Sequence, residues 1–107
     1  MKNLTATQLR DHLAQTDNDP LLLDVREPWE FERCHIEGST LVPMGQIRSM
    51  VNELDPDQET IVICHHGIRS LSVASYLEQQ MDFTNVISLA GGVERWAREV
   101  DLDMALY

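Results

Sequence analysis

The sequence predicts an α/β protein whose mostly parallel sheet is covered by helices on both faces. Two observations carry that reading. Short apolar runs of strand length, LLLDV at 21–25, TIVIC at 60–64 and NVISL at 85–89, alternate with segments whose apolar residues recur at helical spacing. The first run is apolar without polar alternation, which marks a strand buried on both faces. In sheets of this kind functional groups gather at the carboxyl ends of the strands.

Each element has its own signal. Thr5 and Gln8 stand at capping-box spacing, and Leu4 and Leu9 where a hydrophobic staple would place them, so a short helix starts here and runs to about Gln15. DNDP breaks the chain before the LLLDV strand. EPWEFER then reads as a short helix with Pro28 at its first position, and HIEGS turns into a brief strand at Thr40 to Val42. Ile47, Met50, Val51 and Leu54 recur at i, i+3, i+4 and i+7, which gives the next helix an apolar stripe ended by DPDQ. After the TIVIC strand and the turn HHGIR, a helix is expected from about Ser70 to Met81. Ser70 would cap it, and Leu71, Ala74, Leu77 and Met81 would lie on one side. The strand NVISL, a break at Gly91 and Gly92, and the helix VERWAREV complete the pattern. The acidic tail 101–107 is the one stretch with a case for flexibility.

Composition bounds the function. The 107 residues suit one domain, 1–107, and are too few for two. Eighteen acidic against eight basic residues give a formal charge of −10, which makes nucleic acid and anionic membrane surfaces poor partners. The acidity serves solubility or docks a basic protein partner; composition leaves both open. No apolar run approaches membrane-spanning length, and MKNLTATQLR lacks the apolar stretch of a secretory signal, so a cytoplasmic setting is expected, with Cys34 and Cys64 as free thiols.

The chemistry concentrates in TIVICHHGIRS, where Cys64 ends a strand on a turn that leads into a helix. A thiol is a good nucleophile only as thiolate, and such a turn favours the anion in three ways. Unpaired backbone amides converge on the sulfur, the helix dipole is positive there, and Arg69 adds a permanent charge. Gly67 supplies the positive φ that an inward-curling loop requires. His65 and His66 are either plain polar loop residues or donors of hydrogen bonds and positive charge at the mouth, a charge that would fade as pH rises through neutrality. Metal binding is the rival use of CHH, with Cys34 and His35 as a second half. Adjacent ligands rarely reach one ion, and the usual two-to-four-residue gaps are absent, so no metal is expected. Asp24 at its strand end and Arg26 behind it read as a structural ion pair, or as partners in loop hydrogen bonds, supporting the site rather than as catalysts. His12 reads as a surface residue.

Three blocks, LLLDVREPWEFERCHIEGSTLVP, CHHGIRS and GGVERW, stand in an order and spacing that resemble the rhodanese family over nearly the whole chain. The resemblance implies a three-layer fold with a five-stranded sheet, and a Cys64 that carries sulfur as a persulfide. Cys64 would take sulfane sulfur from thiosulfate or a persulfide donor and pass it to cyanide, a thiol or a protein, with no cofactor. The loop His65, His66, Gly67, Ile68 and Arg69 would bind the donor. The same fold hosts phosphatases and arsenate reductases, whose loops are implied to place arginine six positions after the cysteine; here Arg69 follows Cys64 by five, which favours sulfur transfer. A sulfur-relay module working with a protein partner is the alternative. Cys34 stands where the family's first block usually has glycine, so the local backbone is open to change there, and a resolving role for this thiol is the less favoured option.

Overall fold

The computed structural model describes residues 1–107. Five strands, β1 (Lys2–Leu4), β2 (Leu21–Asp24), β3 (Thr40–Leu41), β4 (Thr60–Ile63) and β5 (Val86–Leu89), form one sheet in the order β1-β5-β4-β2-β3. Every pairing is parallel. The helices are α1 (Ala6–Gln15), α2 (Pro28–Arg33), α3 (Ile47–Met50), α4 (Ile68–Gln80) and α5 (Gly92–Glu99). This is the α/β architecture the sequence predicts.

Successive strand residues point to opposite faces, so a fully buried strand feeds two cores. On β4, Val62 joins Val73, Ala74 and Leu77 of α4 and Ile47 of α3, while Ile61 and Ile63 join Leu9 of α1 and Val93 and Trp96 of α5. Cys64, the next residue, belongs to the α3/α4 side. That parity aims its side chain at the start of α4.

The chain leaves β2 toward one edge, to β3, and leaves β4 toward the other, to β5. The carboxyl ends of β2 and β4 are therefore where the connections diverge, the crevice in which open parallel sheets bind ligands. Leu21 to Asp24 pair with Thr60 to Ile63, and the Val25 amide donates to the Ile63 carbonyl at 2.9 Å. Arg26 and the Cys64 loop thus emerge side by side.

Several expectations shift. β1 carries only three residues, two of them exposed, and lacks an apolar run to announce it; Leu4 lies on it, packing with Leu9 in the same core. The helix expected from Ile47 to Leu54 is one α turn between 3₁₀ turns at Met44–Gln46 and Val51–Glu53. Ile47 and Val51 still face the core. On α4 the buried face is Ser70, Val73, Ala74 and Leu77, and Leu71 is 41% exposed, because the helix begins at Ile68 and presents its i, i+3, i+4, i+7 stripe from Ser70 onward. In the acidic tail, Met104 and Tyr107 pack on the α1/α5 core.

Arg26 is fully buried, and all its donors are used. Asp24 accepts from Nε and one terminal nitrogen at 2.7–3.1 Å, the carbonyls of Glu30 and Cys34 accept at 3.3 and 2.7 Å, and the Tyr107 hydroxyl accepts at 2.8 Å. The Cys34 carbonyl lies just past the end of α2, and the Glu30 carbonyl, which also takes the Cys34 amide at 3.2 Å, lies within it, so Arg26 docks α2 onto β2. Burial opposes the guanidinium charge, but the hydrogen bonds to Asp24 and Tyr107 outweigh it and raise the pKa. Asp24 and Arg26 thus form a fully buried ion pair.

Breaking a buried pair from one side strands the other charge. Arg26→Met is expected to cost about 3–5 kcal/mol in urea unfolding, and the double variant Arg26→Met with Asp24→Asn is expected to recover part of that loss.

Candidate functional site

Cys64 is 1% exposed, and its Sγ accepts hydrogen bonds from the amides of Gly67 (3.1 Å) and Ser70 (3.2 Å). Both are among the amides that open α4, for which Gly67 is the N-cap and Ser70 lies in the first turn. No side chain caps this helix. The sulfur itself occupies the acceptor position that a capping side chain would take, on the positive end of a 13-residue helix. Ser70 is therefore not the cap expected of it. Its hydroxyl is fully buried and hydrogen-bonded to the Ser88 hydroxyl of β5 at 2.9 Å, which ties the start of α4 to the sheet.

The curl depends on Gly67, whose φ is +97°; a Cβ there would sit 2.9 Å from the Gly91 nitrogen. From behind, α5 holds the same loop. The Val93 and Glu94 amides, which open α5, donate to the carbonyls of Cys64 (2.9 Å) and His65 (3.2 Å). That approach leaves no room at Gly92, where an added Cβ would lie 2.2–2.4 Å from those backbone atoms. GGVERW is thus the other half of the Cys64 loop.

Arg69 does not stand alone beside the sulfur. Its two terminal nitrogens grip the Glu30 carboxylate at 2.7 and 2.9 Å in a fork, across from α4 to α2. Those hydrogen bonds raise the Arg69 pKa, and charge on Cys64 adds in the same direction. They also draw Glu30 down to about 2, against the opposing effect of burial and with help from the Glu27 amide and the Tyr107 hydroxyl. Sequence reasoning misses Glu30, although a signal is present: a carboxylate at capping-box spacing from Glu27 in the first recognisable block, on a helix facing the loop arginine.

The histidines separate in role. The His65 ring is stacked between His66 (3.8 Å between centroids) and Tyr107 (4.0 Å). Burial, with His66 adding, lowers its pKa from the ordinary 6.5, so His65 does not supply the positive charge considered for it at neutral pH. His66 is exposed and meets Glu94 at 2.8 Å. His65, His66 and Glu94 bring ligand atoms within 4.8 Å of one another. Stacked imidazoles, however, direct their in-plane lone pairs side by side instead of at one point, so one ion would require the rings to unstack. Ile68 is 78% exposed on the rim and encloses nothing. His12 is half-buried and paired with Glu59 at 2.8 Å, more engaged than a plain surface residue.

Cys34, like Cys64, is a free thiol. It ends α2 with φ −165°, extended backbone that any residue adopts, so replacing the usual glycine distorts nothing. What this position contributes to the network is its carbonyl, held by Arg26.

A parallel α/β sheet with a cysteine cradled by amides at its divergence point defines the class, and comparison with known proteins gives the family. The family described as Rhodanese-like domain matches residues 5–99, and the chain belongs to it. It is 39% identical over 83 residues to the thiosulfate sulfurtransferase GlpE of Pseudomonas syringae, covering 78% of this chain and 77% of that protein. It is 35% identical over 86 residues to YrkF of Bacillus subtilis, which is named as a sulfur carrier, and covers 80% of this chain but only 46% of that longer relative. The crystal structure of SSP1007 from Staphylococcus saprophyticus superposes with a TM-score of 0.81 at 29% identity, over 94% of this chain and 97% of that one. The fold expected from the resemblance is the fold observed. No helix is long and apolar enough to cross a membrane.

A carboxylate held at about 2 in the fold and near 4.5 when free contributes stability that is fully present above the free value and lost as pH falls through the folded one. For Glu30 that contribution is on the order of 3 kcal/mol. Glu30→Gln is expected to lower stability at pH 7 by a similar amount and to flatten the fall of stability between about pH 4.5 and 2, read from urea midpoints across that range. Gly92→Ala is expected to cost more than about 3 kcal/mol, combining positive φ with a backbone clash, and to loosen the Cys64 loop.

Proposed function

We propose that this chain is a sulfurtransferase in which Cys64 carries the sulfur as a persulfide. The observation that carries this reading is the pair of amides, from Gly67 and Ser70, converging on a buried Sγ. The Cys64 thiolate attacks the outer sulfur of thiosulfate or of a persulfide donor. The donor's S–S bond breaks, and sulfite or a thiolate leaves with the electron pair. Cys64–S–S⁻ remains, and the loop amides, fixed before the reaction, stabilise the negative sulfur in both states. A thiophilic acceptor, cyanide, a thiol or a protein, then attacks the outer sulfur, and Cys64 departs as thiolate.

Arg69 is the anion-binding group of this scheme. Glu30 engages one N–H on each terminal nitrogen, and the guanidinium keeps further donors for an incoming anion. Five positions separate it from Cys64, so the loop closes around a single sulfur atom, which disfavours the phosphatase or arsenate reductase chemistry that the fold also hosts. Gly67 shapes the loop, Ser70 anchors it, and Asp24 with Arg26 holds α2 and thereby Glu30.

A relay between proteins is the second reading. Two large apolar side chains near the loop are exposed, Ile68 at the start of α4 (78%) and Trp29 (61%), edge-on to the Tyr107 ring that stacks on His65, while Cys64 is 1% exposed. Exposed apolar groups beside a buried thiol suit a protein partner that inserts a reactive chain, and a surface of charge −10 suits a basic one. The relative named as a sulfur carrier supports this reading.

Intact mass after incubation with thiosulfate separates the outcomes. Wild type is expected to gain one sulfur atom and lose it on adding cyanide or a thiol; no gain with thiosulfate but gain from a persulfidated protein favours the relay. Aryl phosphate and arsenate are expected to give no turnover. Cys64→Ser is expected to abolish loading with the fold intact, and Cys34→Ser to retain most activity; a dead Cys34 variant reverses the roles. Arg69→Lys keeps a charge but loses the fork, so the thiosulfate KM is expected to rise roughly tenfold, with Arg69→Ala worse.

A further inference from the structure

We propose that Tyr107 is a positioning residue of the Cys64 site, acting through Glu30 on Arg69 and through its ring on His65, and that it sets how well the site takes an anionic sulfur donor. This rests on reading Cys64 as the nucleophile and Arg69 as its anion-binding partner.

Tyr107 ends the acidic stretch, yet it joins two ion pairs, the buried Asp24–Arg26 and the part-buried Glu30–Arg69. Its hydroxyl accepts from Arg26 at 2.8 Å and donates to Glu30 Oε2 at 2.8 Å. That same oxygen takes the Arg69 fork at 2.9 Å. The ring lies flat on His65, 15° from parallel, and meets Trp29 edge-on at 5.7 Å. One side chain thus touches the structural pair, the loop pair and the loop itself.

Only tyrosine meets these requirements together. The position needs an aromatic face to stack and a hydroxyl at its far end that donates and accepts at once. With the bridge in place, Glu30 has a hydrogen bond fixing each oxygen besides those of Arg69: the Glu27 amide on Oε1 and Tyr107 on Oε2. The carboxylate is then held from outside the fork, and the guanidinium is held through it. Remove the hydroxyl, and Oε2 is anchored by Arg69 alone. Carboxylate and guanidinium can then turn together, and the arginine's remaining donors lose their fixed orientation for an incoming anion. Burial also pushes the Tyr107 hydroxyl up to about 12, so the bridge keeps its proton across the working pH range.

The test uses the whole chain with Cys34→Ser, leaving Cys64 as its one thiol. Cys64 is alkylated with anionic iodoacetate and with neutral iodoacetamide at fixed pH and salt. The ratio of the two rates reports the anion-directing field at the sulfur and cancels differences in thiolate content. Tyr107→Phe keeps the ring and removes the bridge. It is expected to lower that ratio about two- to tenfold and to raise the thiosulfate KM by a similar factor, with kcat changed less. In an Arg69→Ala background the same substitution is expected to change the ratio by less than about twofold, since its route to the sulfur is gone. Tyr107→Ala, which also unstacks His65, is expected to exceed the Phe variant. An unchanged ratio in folded Tyr107→Phe, or effects that multiply independently of Arg69, overturns the proposal. So does failure of both Tyr107 variants to fold, which would make the residue structural. Because alkylation requires no sulfur transfer, a shifted ratio without persulfide loading sinks the sulfurtransferase reading and leaves Tyr107 in its role, and loading with an unshifted ratio does the reverse.

Discussion

The loop after β4 must satisfy two sets of helix-end amides at once. Its front receives the first amides of α4 on the Cys64 sulfur, and its back offers the carbonyls of Cys64 and His65 to the first amides of α5. A loop of this length can face both ways only where the backbone lacks side chains, which is why Gly67 and Gly92 carry positive φ in spaces a Cβ would fill with backbone contacts. The amides otherwise left unpaired at the two helix starts are thereby spent on the site, those of α4 on the sulfur and those of α5 on the backbone that carries it. Everything else in the molecule can be read as holding that junction: β4 at the centre of the sheet, Ser70 pinned to Ser88, and α5 packed on α1.

A second line of order runs through charge. From β2 outward charged groups alternate in sign, the buried Asp24, Arg26 and Glu30 and then the part-exposed Arg69, each bonded to the next or joined through Tyr107, and the series ends on the Cys64 loop. An alternating series lets Asp24, Arg26 and Glu30 lie buried beside the part-exposed Arg69, since each has a partner of opposite sign and no buried side-chain polar atom is left without a hydrogen bond. It also fixes where positive charge is available: at the far edge of Arg69, and little elsewhere.

Much of this was legible in residues whose signal is local. The capping box of Thr5 and Gln8 forms as spaced, Pro28 opens α2, and the strand runs at 21–25, 60–64 and 85–89 fall on β2, β4 and β5. Gly67 was readable because a strand-to-helix turn that curls its amides inward requires a positive φ, and glycine adopts one without steric cost. What was illegible depends on contacts between distant segments. β1 exists because β5 offers it an edge, not because three residues prefer extension. Ser70 has a capping residue's chemistry, but the sulfur took that part and the helix began two residues earlier. Glu30 is one acidic residue among eighteen until α2 is docked, and the ring of Tyr107 closes a tail that has no periodicity at all.

The placement of charge bears on how an acidic protein handles an anion. Repulsion from a net charge of −10 is screened over about 8–10 Å at ordinary salt, so it acts on approach and fades at the sulfur. What acts at the sulfur is short in range: two amides at 3.1–3.2 Å and an arginine already half committed to Glu30. His65, with its pKa lowered by burial and pressed between two rings, gives shape rather than charge. A free small anion therefore meets an unfavourable field before it reaches a favourable one. A sulfur donor tethered to a basic protein crosses the same distance with the field in its favour, and the exposed Ile68 and Trp29 offer it apolar contact at the rim. On the proposed sulfurtransferase reading, the charge of the surface favours a protein-borne donor or acceptor, while the loop is indifferent to what delivers the sulfur.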